Sequence, residues 1–300
     1  MARVSLAAAL SCCLTVGCTA ESPATGTPGV DSRLLDLTDA SRVTDPTPGV
    51  PGDEVPGRHL PTTLWYPATH DGPLPVVVFS HGLEGNPASY SQLLSEWAAA
   101  GFLVVAPTFP LTSLGSTVVR TDIINQPADV SFVLSQVLAL AGATGDPLAG
   151  RIDGAHVTAA GHSGGAITTL GLLNTCCADP RITSAIVLSG TLLLVGDSFA
   201  SPGVPTLFVH GEDDDVLPIS QGRGAYAAAP APKAFLELSD GGHAEPFQDG
   251  ADSRAPLVRS ATTDFLRWTL QADPSALAEL RSDVSASGTG RLVDDQLPTN

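Results

Sequence analysis

Gly161-His162-Ser163-Gly164-Gly165 is a G-x-S-x-G turn placed between two runs of different character. Residues 155–160 read as a short buried strand that enters it, and the small apolar residues 166–173 read as a helix that leaves it. In that setting the pattern is a nucleophile elbow, a sharp turn that lifts a serine hydroxyl off the edge of a sheet. The flanking glycines serve the geometry, because a side chain there would block the close approach of helix and strand. A serine hydroxyl is a poor nucleophile at neutral pH, so Ser163 needs a histidine base and a carboxylate to orient that base.

Two histidines, His210 and His243, follow Ser163 in the chain. Turns of this kind take their acid before their base in chain order. The apolar strand 204–211 runs into Glu212-Asp213-Asp214-Asp215, and the strand 234–238 runs into the flexible loop Ser239-Asp240-Gly241-Gly242-His243. The order makes His243 the base, while His210 precedes the acid and reads as a strand-end residue that holds its loop. The orienting acid lies within the four-residue acidic run. Spacing alone leaves open which residue it is, and the remainder is a solvated turn. Upstream, the continuous apolar strand 75–80 ends in His81-Gly82-Leu83-Glu84-Gly85-Asn86 before a helical stretch starts at Ser89. This strand-to-helix loop supplies one backbone N–H of an oxyanion hole, and the residue after the nucleophile supplies the other. Leu83 and Gly164 are therefore the expected donors, and His81 is expected to brace the loop by a hydrogen bond.

These segments together resemble the α/β-hydrolase superfamily. More narrowly they resemble its dienelactone-hydrolase-like, platelet-activating-factor-acetylhydrolase-like and cutinase-like polyester hydrolase branch. The residues that carry the likeness are 63–67, 77–82, 126–134, 151–153, 161–165, 210–214 and 242–243, so the match spans about 33 to 270. The resemblance implies a Ser-Asp-His triad, a two-step acyl-enzyme reaction on carboxylic esters, and no cofactor or metal. Its H-G-x-x-D pattern, with a proline four residues beyond the acid, selects Asp214, followed by Pro218. Dienelactone hydrolases use a cysteine nucleophile, which disfavours that activity here. The family places a Met, Phe or Gln where this chain has Gly164, which implies a missing wall in the acyl pocket.

The elements that must position these residues alternate. Strands are expected near 34–38, 60–66, 75–80, 102–106, 156–160, 184–189, 205–210 and 234–238, with helices near 89–100, 127–141, 164–174, 219–228 and 255–270. Such alternation implies an α/β-hydrolase fold with a mostly parallel eight-stranded sheet covered by helices on both faces. The stretch 190–204 is too short for a large lid domain, so the site should be open and suited to large or surface-bound esters, lipid or polyester among them.

Three hundred residues suffice for one large domain, expected at 33–272. The formal charge of −17 and the single lysine, Lys233, exclude nucleic acid and anionic lipid headgroups as expected partners. Residues 1–18 read as a signal peptide, with Cys18 the candidate lipidation site, which implies export and a membrane link only through that anchor. Residues 19–32 read as a flexible tether, and 273–300, Ser/Gly/Thr/Asp-rich apart from a short helix near 275–281, as a disordered tail. Adjacent Cys176 and Cys177 lack the spacing of a zinc site and are expected either as a vicinal disulfide or as two buried thiols. Two other readings remain: a non-catalytic lipoprotein that keeps the fold as a binding module, and a serine peptidase of the same fold.

Overall fold

The computed structural model describes residues 27, 29–46, 52, 54–200 and 203–299. The expected signal peptide, Cys18 and most of the tether lie outside these residues. In chain order, strands β1 (Val30–Leu35), β2 (Thr38–Thr44), β3 (Val55–His59), β4 (Thr62–Pro67) and β5 (Leu74–Ser80) precede helix α1 (Ser91–Ala99). Next come β6 (Leu103–Pro107), a 3-10 helix (Arg120–Asn125), α2 (Gln126–Ala139), β7 (Ile152–His162) and α3 (Gly164–Gly171). The chain closes with β8 (Ser184–Leu188), β9 (Thr206–Gly211), α4 (Ile219–Ala228), β10 (Lys233–Leu238), α5 (Ala255–Gln271), α6 (Ala276–Ser287) and β11 (Gly290–Asp295).

The main sheet has nine strands in the order β1-β4-β6-β5-β7-β8-β9-β10-β11. From β6 to β10 every pairing is parallel, and the outer pairings are antiparallel. Every residue of β5 is buried, as a strand covered on both faces requires. Its alternate side chains serve two cores. Val77 and Phe79 pack with Trp97 of α1 and Val258 and Phe265 of α5, whereas Val76 and Val78 pack with Val130, Val133 and Leu134 of α2. A third cluster joins Ala166, Ile167 and Leu170 of α3 to Ala225 and Tyr226 of α4. Each such buried side chain contributes about 1.5–3 kcal/mol.

This sheet is an α/β-hydrolase fold without a large lid; among the described residues the connection from β8 to β9 holds turns and no helix. The chain passes from β5 to β6 on one side and then returns to β7 on the other side of β5. Strand order therefore reverses between β5 and β7, where open α/β sheets leave a crevice beyond the strand ends. The Leu83 loop and Ser163 leave the sheet at that place.

Three expectations need correction. The main sheet has nine strands, not eight, because the tail expected to be disordered is ordered over 273–299. Its helix α6 buries Ala276, Leu277, Leu280 and Val284 on one face, and its strand β11 pairs along β10. The Ser and Asp content belongs to the outer face of that helix, and the pairing uses backbone groups that composition does not report. The domain begins before residue 33, since β1 starts at Val30 and pairs with Pro67 within the expected tether. Finally, β2 and β3 form a separate two-stranded sheet between the strands expected near 34–38 and 60–66. Arg58 explains it. This fully buried guanidinium donates to both carboxylate oxygens of Asp122 (2.9–3.0 Å) and both of Asp129 (2.7 Å). Burial opposes its charge, but the two carboxylates outweigh that and push its pKa upward.

Candidate active site

Ser163 ends β7 with φ +56°, a conformation costly for a residue with a side chain, and stands at the N-terminus of α3. The surroundings enforce it. Its N–H donates to Leu188 O (3.0 Å), and its own carbonyl accepts from the amides of Ala166 and Ile167. A Cβ on Gly165 would run into Ser80 O, and one on Gly161 into Gly165 O, so the elbow closes only with glycine at both places.

Ser163 Oγ lies 2.8 Å from His243 Nε2, and His243 Nδ1 lies 2.8 Å from Asp214 Oδ2. With Nδ1–H donating to the carboxylate, Nε2 presents its lone pair to the serine hydroxyl. Asp214 is buried, whereas Glu212, Asp213 and Asp215 are exposed. Its other oxygen accepts from the amides of Val216 (3.0 Å) and Leu217 (2.8 Å). Burial alone would raise the Asp214 pKa, but hydrogen bonding to His210 and His243 and from the Leu217 amide holds it well below the ordinary carboxylate range. His210 lies 3.2 Å from Asp214 Oδ2 and donates to Leu217 O (2.8 Å), so it secures the acid's turn.

The two expected amide donors also come together. A Cβ added to Gly164 would lie 3.6 Å from Leu83 N. Among the hydrogen bonds of the described residues neither the Leu83 nor the Gly164 amide has an acceptor. The loop around Leu83 is pinned on both sides. His81 Nδ1–H donates to Gly82 O (2.7 Å), Gly82 N–H donates to Tyr90 Oη (3.2 Å), and Glu84 N–H donates to Thr112 O (2.8 Å). His81 Nε2 accepts from the Phe109 amide, and burial lowers the pKa of this ring to about 4. The N-terminus of α3 points at the same spot and favours negative charge there.

Two residues that sequence reasoning did not assign bind these parts together. His162 Nε2–H donates to the carbonyl of His243 (2.8 Å), and its Nδ1 accepts from the Tyr90 hydroxyl (2.9 Å). Tyr90 Oη accepts from Gln248 as well as from Gly82. Burial, helped by the nearby His243, lowers the His162 pKa to about 3, so the ring is neutral. His162 occupies a variable position of the elbow pattern, and Tyr90 lies in what reads as an ordinary helix start; neither carries a motif.

The space expected to be open beside Gly164 is closely bounded. Its would-be Cβ meets Ile123 Cδ1 at 3.1 Å and Leu83 Cγ at 3.4 Å, so a wall is supplied from another part of the chain. Cys176 and Cys177 are joined as a vicinal disulfide, with Cys176 exposed. Among the described residues no three His, Cys, Asp or Glu side chains form a metal-binding group.

Comparison with known proteins gives the family. Residues 55–268 match the PETase family, described as PET hydrolase-like. The chain belongs to this PET hydrolase-like family. That membership makes it an ester hydrolase of the PETase-like type. A solved structure, the ferulic acid esterase from Streptomyces cinnamoneus, shares its fold with a TM-score of 0.67 at 20% identity, covering 91% of this chain and 98% of that one. No curated protein matches the chain.

Proposed function

We propose that this PET hydrolase-like chain is a serine carboxylic-ester hydrolase that works through an acyl-enzyme. The observation that carries the reading is the unbroken relay Asp214–His243–Ser163, with 2.8 Å at each step. Ser163 Oγ attacks the ester carbonyl while His243 Nε2 takes its proton, and the carbonyl oxygen becomes an oxyanion held by the Leu83 and Gly164 amides. His243 then returns the proton to the departing alcohol as the C–O bond breaks. Water repeats the sequence on the acyl-enzyme and releases the acid. Asp214 holds the imidazole tautomer and stabilises its cation.

Large apolar side chains on the surrounding loops favour an insoluble, surface-bound ester. Leu114 (65% exposed) donates its amide to Gly85 O beside the Leu83 loop (2.8 Å), Ile124 flanks Ile123, Leu193 and Leu194 lie between β8 and β9, and Val216 (60%) follows Asp214. The net charge of −17 disfavours anionic substrates. Export, with Cys18 as a lipid anchor, belongs to the same reading, since an insoluble ester has to be met outside the cell.

Labelling by a fluorophosphonate probe tests the proposal. Covalent modification at Ser163 is expected in the full chain and is abolished by Ser163→Ala. An unlabelled, inactive wild type would instead favour a binding module.

A further inference from the structure

We infer that Ile123, carried by the 3-10 helix Arg120–Asn125, sets the acyl-chain length this site accepts by replacing the side chain that Gly164 lacks. The inference rests on the serine esterase reading above. Ile123 is buried among Ala166, Ile167 and Leu170, with Leu83 packed against the same cluster. Its Cδ1 (3.1 Å) and Leu83 Cγ (3.4 Å) would press against a Cβ at position 164, so they bound the side of the site that a larger residue there would otherwise wall off.

The side of the bound carbonyl follows from proton transfer. The alcohol oxygen must face His243 Nε2, which reprotonates it. Against that imidazole packs His162, whose ring in turn meets Phe247 of the cluster that contains α1 and α5. Ile123 belongs to the other cluster, next to the two amides, and so flanks the acyl portion.

This wall is held firmly. Asp122, the residue before Ile123, takes two hydrogen bonds from buried Arg58 and one from Asn125 Nδ2 (2.8 Å). Arg42 NH1 donates to Asn125 O (3.3 Å). Gln126 ties the segment to the rest of the site, donating to Thr112 Oγ1 (2.8 Å) and accepting from Thr168 Oγ1 of α3 (2.5 Å). A wall clamped at both ends excludes long acyl chains instead of yielding to them, so short acyl groups are preferred.

The test uses the full chain and p-nitrophenyl acetate, butanoate and octanoate. Ile123→Ala is expected to raise the octanoate-to-acetate ratio of kcat/KM by about tenfold or more, the scale of one or more methylenes in a fitted pocket. Ile123→Val, which removes only the Cδ1 methyl and puts less strain on folding, should move the ratio in the same direction by less. Fluorophosphonate labelling of Ser163 is followed in parallel in all three proteins. A ratio that stays constant or falls in variants that still label would overturn the assignment of Ile123. A wild type that does not label would overturn the esterase reading, and this inference with it, before any variant is compared.

Discussion

The buried ring of His162 donates its Nε2 proton to the backbone carbonyl of His243 across 2.8 Å, so the residue preceding the proposed nucleophile fixes the loop that carries the proposed base. Tyr90 completes the link by joining that ring to Gly82 in the amide-donor loop. Removing one partner from such a buried pair leaves the other unsatisfied, at about 1–3 kcal/mol. His162→Phe should therefore lower kcat by about 10- to 100-fold, since misplacing a catalytic group by an ångström has that effect. His162→Gln, with a donor and an acceptor of its own, should restore much of the loss. Comparing kcat and KM for the two variants checks the role, because a merely structural residue would not show rescue by the amide.

Asp214 is the buried member of the acidic turn, and its carboxylate meets His243 Nδ1 at 2.8 Å. Asp214→Asn is expected to reduce kcat on the order of 10⁴-fold, as loss of the orienting acid does elsewhere. Asp213→Asn and Asp215→Asn, on exposed side chains, should change it little. Steady-state rates on one soluble ester compare all three, and a larger loss at 213 or 215 would refute the assignment.

The legibility of this site followed the chemistry. Ser163 and His243 stood out because a nucleophile elbow and a late histidine are constrained in residue type and in order. The choice of Asp214 needed the family pattern, since four neighbouring acids look alike until burial separates them. Ile123 and Tyr90 carried no sign at all: an apolar side chain that fills a gap left by a distant glycine is a fact of packing, visible only once the 3-10 helix is seen against α3. Of the fold, the apolar strands were legible and the β2–β3 ladder was not. Arg58, which anchors it, meets carboxylates 64 and 71 residues away, a pairing that no local pattern announces.

Those charges yield a stability prediction. Arg58 spends all its hydrogen bonds on Asp122 and Asp129, and none of the three is solvated. Arg58→Ala would leave two carboxylates buried without their main partner, a change that costs about 3–5 kcal/mol. Arg58→Met fills the volume but leaves the same carboxylates unpaired, so it should recover only part of the loss. Urea midpoints of the three proteins measure both steps.

Acid should weaken the fold well above the usual carboxylate range. His81 and His162 are buried and neutral, with pKa values lowered from 6.5 to about 4 and about 3. Above pH 6.5 neither state binds these protons, and the stability they contribute is complete. As pH falls through 6.5 the unfolded chain takes up both protons while the folded one does not. Stability therefore drops at roughly 1.4 kcal/mol per pH unit for each histidine, until His81 and then His162 protonate in the folded state. Unfolding by urea at steps from pH 7 to pH 4 should show this slope, and His162→Gln should flatten it by about one proton.

The C-terminal segment is the remaining test of what holds the molecule together. Leu277, Leu280 and Val284 of α6 and Leu297 beyond β11 enter the same apolar cluster as α1 and α5, and β11 covers the edge of β10. Arg281 ties the helix to the strand through Asp295 (2.8 Å). Ending the chain at Asp273 would uncover the apolar face of α5 and leave β10 with unpaired N–H and C=O groups, an edge prone to pairing with other chains. The truncated protein should be recovered largely as aggregate, with a lowered Tm in any soluble fraction. A soluble, monomeric and fully active 1–273 chain would mean that the segment after Asp273 adds nothing to the fold, against the burial of Leu277, Leu280, Val284 and Leu297.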